Sequence, residues 1–136
     1  APAAYDTIQI HLQETGRTPD FYDCIVTGDL GQLGQEIVRE FFRKDGIELG
    51  QRYAGCGVLL FDPNAQDVHA GASGCGCSAI VLAGYLLQQM AAKKYRHILF
   101  CGTGALHSPL SMMQGESIPG ICHAVAISRR KEQEHE

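Results

Sequence analysis

Cys75 and Cys77 stand one residue apart in a turn that also holds Gly71, Gly74 and Gly76. His69 precedes the turn, and a long apolar segment follows it from Ser78. Such a stretch can serve four chemistries. Glycines admit left-handed backbone and close approach, so a glycine-rich turn into a helix can aim several N–H groups at a carboxylate or phosphate. The same turn can simply let a buried helix pack tightly. A zinc knuckle prefers two residues between its cysteines and a second Cys/His pair of matching spacing, and neither is found. A dithiol redox pair also wants the C-x-x-C spacing. The pattern is neither G-x-G-x-x-G nor a P-loop, so it specifies no nucleotide.

Other residues with chemical potential lie elsewhere. Thr27-Gly28-Asp29-Leu30-Gly31 reads as a turn at the carboxyl end of a strand, where open α/β sheets place ligand contacts. Asp29 can contact a ligand there or cap the helix that follows. His69, His107 and His123 could each act as the base beside a cysteine nucleophile. Cys24 and Cys101 lie inside apolar, strand-like runs, where a reduced cysteine behaves as a small hydrophobe. Glu116 sits in a Gly- and Pro-fixed loop that leads to His123 and is either a ligand contact or plain surface.

The elements that must position these residues follow from pattern. Ala4, Ile8 and Leu12 recur every four residues, which predicts a helix over Ala3 to Glu14 that ends at Gly16. Phe21 to Thr27 reads as a strand. Gln32 to Lys44 reads as a helix with Leu33, Ile37, Val38, Phe41 and Phe42 on its buried face. Gln51 to Gly57 reads as irregular, and Val58 to Phe61 as a short strand stopped by Asp62-Pro63-Asn64. Ser78 to about Lys94 reads as a helix that is apolar nearly all round, which predicts a central, buried position. His97 to Cys101 and Ile121 to Ser128 read as strands joined by a long loop from Gly102 to Gly120. Helices alternating with short strands predict an α/β fold with a mixed, mostly parallel sheet and helices on both faces. Residues 1–128 are expected to form one domain and residues 129–136 a charged, disordered tail.

Composition sets limits. The 136 residues fit one core, and 45% hydrophobic with 19% charged residues is an ordinary globular balance. A net charge of −4, with Arg129, Arg130 and Lys131 as its one basic run, argues against nucleic acid as a partner. No apolar run reaches the roughly 18–20 residues that span a bilayer, so a membrane role would be peripheral. The six cysteines are expected to be mostly reduced, in an intracellular protein. The first residue is Ala rather than Met, so the chain is expected to be processed or a piece of a longer protein.

Four segments taken in order, TGDLGQLG, HAGASGCGCSA, ILFCGTGALHSP and QGESIPGICHAV, resemble the carboxyl-terminal half of the stage V sporulation protein AD family, within the thiolase-like superfamily. The resemblance covers Phe21 to Ser128 and is most specific at GASGCGCSA and GESIPGICHAV. It implies a thiolase-like half-domain from a protein built of two similar α/β halves. Condensing enzymes of that superfamily draw a histidine and an asparagine from this half. The matching positions here hold Gly28 to Gly31 and Gly71 to Gly74, without either residue, so the resemblance implies a protein that is not an enzyme. It implies instead a protein that binds dipicolinic acid (pyridine-2,6-dicarboxylate), alone or with calcium, with no resident cofactor or metal. That compound would be moved into the developing spore by a peripheral complex at the forespore inner membrane, with other stage V sporulation membrane proteins as partners. A flat dianion wants N–H donors, a neutral or positive histidine and a cleft between domains. His123 is the first candidate contact, followed by His69, Gly74, Cys75 and Asp29. The family's other half is missing from the chain. We therefore expect pairing with that half or with a second copy, because an isolated half exposes the apolar face that meets its twin. Two alternatives stand beside this reading: a cysteine-dependent acyl-transfer enzyme of the superfamily, and a structural subunit of a spore membrane assembly.

Overall fold

A computed structural model describes residues 1–62, 64–68 and 74–130. Helix α1 (Pro2–Thr15) forms where the four-residue step demands it and buries Ala4, Ile8 and Leu12. Pro2 sits in its first turn, where a missing N–H costs nothing. Gly16 ends it at φ 63°, and its N–H donates to the Gln13 and Leu12 carbonyls. Helix α2 (Gly31–Lys44) buries Val38 and Phe42, with Arg43 and Lys44 in its last turn. Leu33 and Ile37, expected on its buried face, are exposed instead. That face is narrower than the apolar pattern suggested.

Four strands make one sheet in the order β2-β1-β3-β4. Strand β1 (Cys24–Thr27) lies at the centre, parallel to β2 (Tyr53–Gly55) on one side and to β3 (His97–Ala105) on the other. Strand β4 (Gly120–Ser128) closes the sheet antiparallel to β3, with His123 opposite Gly102. The fold is thus α/β with a mixed, mostly parallel sheet and helices on both faces.

Three local expectations need correction. The second strand is Tyr53–Gly55, not Val58 to Phe61, which falls largely in helix α3 (Cys56–Leu60). Helix α2 fixes this outcome from outside the segment. Arg39 donates to the Gly50 and Tyr53 carbonyls at 2.5 Å each, and Gln35 Oε1 accepts from the Gly55 N–H at 2.5 Å. A short apolar run carries no periodicity of its own to resist that placement. The loop from Gly102 to Gly120 is also shorter than expected. Strand β3 runs on to Ala105, and a five-residue helix α6 (Pro109–Met113), capped by Ser108, fills part of the link. The apolar helix after the cysteine turn runs as α4 (Cys77–Val81), a π-helical turn (Leu82–Leu86) and α5 (Leu87–Ala91). One side of it is buried, but Ile80, Tyr85 and Leu87 are exposed.

Two cores flank the sheet. The first joins α1 and α2 to Ile25, Tyr53, Leu99 and Cys101, and Cys122 and Ala124 of β4 pack against it. The second joins α4, the π turn and α5 to Cys24, Val26 and Ile98, with Phe100 and Ile127 packed against it. Of the expected tail, residues 131–136 lie outside the described residues, as do His69 and Gly71 to Ser73 of the cysteine turn.

Candidate functional site

The parallel strands direct their carboxyl ends to one edge of the molecule, the edge at which α/β sheets take ligands. At β1 the chain leaves Thr27 into Gly28 and Asp29. Thr27 is fully buried, and its hydroxyl hydrogen-bonds the Tyr53 hydroxyl at 3.3 Å. Gly28 must be glycine, since a Cβ there would overlap Thr103 Oγ1 and lie 3.2 Å from Ser78 Oγ. The tight fit ties the end of β1 to β3 and to the first turn of α4. Asp29 Oδ1 accepts from the Gly31 N–H at 2.9 Å, so the carboxylate fixes the turn into α2.

The described part of the cysteine turn reaches the same neighbourhood. Gly74 takes φ 84°, a conformation that favours glycine, and both it and Cys75 are exposed. Cys77 is buried in the second core.

His123 reaches this edge by a different route. It faces Gly102 across the β3–β4 ladder, just as Val125 faces Phe100 and Ile127 faces Ile98. Since Phe100 and Ile127 belong with the second core, alternation puts His123 on the α4 side of the sheet. It is exposed there. Asp29 stands at the end of β1 and His123 on β4, with β3 between them. Gly28 joins Asp29 to the start of α4, so Asp29 and the Gly74–Cys75 turn share one neighbourhood.

Two of the buried cysteines, Cys24 and Cys56, are poor nucleophiles. Burial pushes the Cys24 thiol up to about 11 and the Cys56 thiol up to about 12, with the neighbouring Cys77 adding to the latter. A thiol so shifted is protonated and inert at neutral pH. Cys122 goes the other way, lowered by a hydrogen bond with Cys101 and a further one with Thr7, while Cys101 is raised. This pair lies on the α1 side of the sheet, opposite His123. Among the described residues, no group of three or more His, Cys, Asp or Glu side chains could hold a metal ion.

Three residues at this edge escaped the sequence reading: Ser78, Gly102 and Thr103. A signal for one existed. Gly102 and Gly104 fall in phase with Ile98 and Phe100, which marks a strand face that loses its side chains toward one end.

The family model for stage V sporulation protein AD matches residues 1–128. The protein described as stage V sporulation protein AD from Bacillus subtilis (strain 168) is 43% identical over 129 residues, which is 95% of this chain and 38% of that protein. The chain therefore spans well under half the length of the relative it matches. With nearly all of it matched, the chain belongs to the stage V sporulation protein AD family.

Proposed function

We propose that the chain contributes to the binding of dipicolinic acid, alone or with calcium, and to its uptake into the developing spore, without turning it over. Family membership supports a role in sporulation. The observation that carries the finer reading is His123, exposed on the α4 side beside side-chain-free backbone at the carboxyl edge of the sheet. A histidine over bare backbone suits a flat aromatic dicarboxylate, which needs a donor for its oxygens and a smooth surface for its ring. Burial raises the thiols of Cys24 and Cys56, which makes these two cysteines poor nucleophiles for acyl transfer.

The same reading gives the chain a partner. Ile80, Tyr85 and Leu87 are exposed apolar residues on a helix that carries no charged residue from Cys77 to Ala92. We assign its cover to the remainder of a protein of the relative's length, or to a second copy, in a complex with other stage V sporulation membrane proteins at the forespore inner membrane. Attachment would be peripheral, and no helix among the described residues is long and apolar enough to cross a membrane.

Isothermal titration calorimetry with dipicolinate, with and without calcium, on wild type and His123→Ala tests the reading. Saturable heat that weakens on the substitution supports it. A covalent thioester adduct would instead revive the acyl-transfer alternative. A stable partner complex without any dipicolinate heat would favour a structural subunit.

A further inference from the structure

Beyond Phe100, strand β3 loses its side chains on the α4 side. Ile98 and Phe100 point to the second core, and the next two residues in phase are Gly102 and Gly104. Next to β3, Gly28 lies just past the end of β1. These three glycines differ in what lies above them. At Gly28 the space is filled by the Thr103 and Ser78 hydroxyls. At Gly104 a Cβ would meet Ile121 Cγ2 at 3.5 Å. At Gly102 a Cβ would find, among the described residues, only the His123 carbonyl oxygen at 4.0 Å. The open ground is the Gly102 backbone, with His123 on the β4 side.

Among the described residues, nothing demands glycine there. Gly102 is absent from the positive-φ positions, so any residue could adopt its backbone. Among the described residues, no neighbour would resist a side chain. Glycine in a strand interior is destabilising relative to alanine and packs nothing. What remains is the other reason for a strand glycine, the close approach of a further group to the backbone.

We propose that Gly102 is the floor on which the ligand ring lies, bounded by His123 on β4 and by Ser78, beside Gly28, on the β1 side. The inference rests on the dipicolinate reading and sharpens it, because it makes an absent side chain the determinant of fit. Any group larger than hydrogen at this position occupies the ligand's place while leaving the sheet intact.

The test is Gly102→Val, with Gly102→Ala beside it. Both are made in the chain alone and in a chimera that carries this segment in place of the matching part of the Bacillus subtilis relative. Dipicolinate binding is read by calorimetry and folding by the thermal midpoint. The expected result is a Kd for Gly102→Val weaker by about tenfold or more, which is about 1.4 kcal/mol, with a midpoint no lower than wild type. Should Gly102→Val lower the midpoint, Gly102→Ala decides alone, since it adds one methyl to open space. Unchanged binding in folded variants overturns the floor and leaves the dipicolinate reading standing. A wild type that binds nothing in either format overturns both.

Discussion

The two faces of the sheet are built to different standards. On the α1–α2 face the core holds the large side chains Tyr22, Phe42, Tyr53, Ile8 and Leu49, all fully buried. Polar ends are tied down as well: the Tyr22 hydroxyl meets His11 Nε2 at 2.5 Å and accepts from Arg17 at 3.0 Å. The α4 face has a thinner core among the described residues, three of its eight buried residues there being cysteines. Its outer side chains, Ile80 at 58% and Val125 at 55% exposed, remain in water. The first face is finished by this chain. On the second, apolar side chains among the described residues stay exposed, and it is also the face that carries His123 and the bare Gly102.

This contrast gives an ordered set of expected effects. The largest belongs to the finished face. Phe42→Ala empties a fully buried aromatic position and should cost about 3–5 kcal/mol, read as a collapse of the urea midpoint. A loss under about 1 kcal/mol would mean that this core is as loose as the other. Next comes the junction between the faces and the ligand edge. Gly28→Ala drives a methyl into Thr103 Oγ1 and should cost about 1–3 kcal/mol. Rescue by Thr103→Gly in the same chain would show that the clash, rather than backbone preference, is the cause. The smallest effect on stability belongs to the unfinished face. Ile80→Glu should change the unfolding free energy by no more than about 0.5 kcal/mol, yet shift the mass in light scattering toward the single chain. A large loss of stability without any change of mass would place Ile80 in a core rather than at an interface.

Much of the fold was legible because local and global signals agreed. Helix α1 combined a four-residue apolar step with Pro2 at its start and Gly16 at its end. Strands β1 and β3 were marked by unbroken apolar runs centred on Ile25 and Leu99. Legibility failed where a segment's state is set by a distant partner. Tyr53–Gly55 is too short to announce itself, and it becomes a strand because Arg39 and Gln35 hold it beside β1. The candidate site shows the same division. His123 could be named from sequence, but its side of the sheet depends on the β3–β4 register. The role of Gly102 depends on what lies above it, which no local pattern states. Asp29 accepts from the Gly31 N–H and so fixes the turn, but the N-cap of α2 is Leu30, without a side-chain cap bond, rather than the Asp29 read from the sequence.

The central position of β1 also governs how the chain is made. Asp23, just before β1, accepts from the backbone N–H groups of Arg96 and His97 at 2.7 and 2.9 Å, and His97 lies 74 residues further on. A ribosome adding about 5–20 residues per second needs about 4–15 s to cover that distance. Once Tyr53–Gly55 has been made, β1 has β2 on one side and an open ladder on the other until β3 follows. A central strand finished so late is an invitation to any other extended chain nearby. The buried, β-branched pair Ile25 and Val26 is therefore the part of the nascent protein most in need of shelter before β3 arrives.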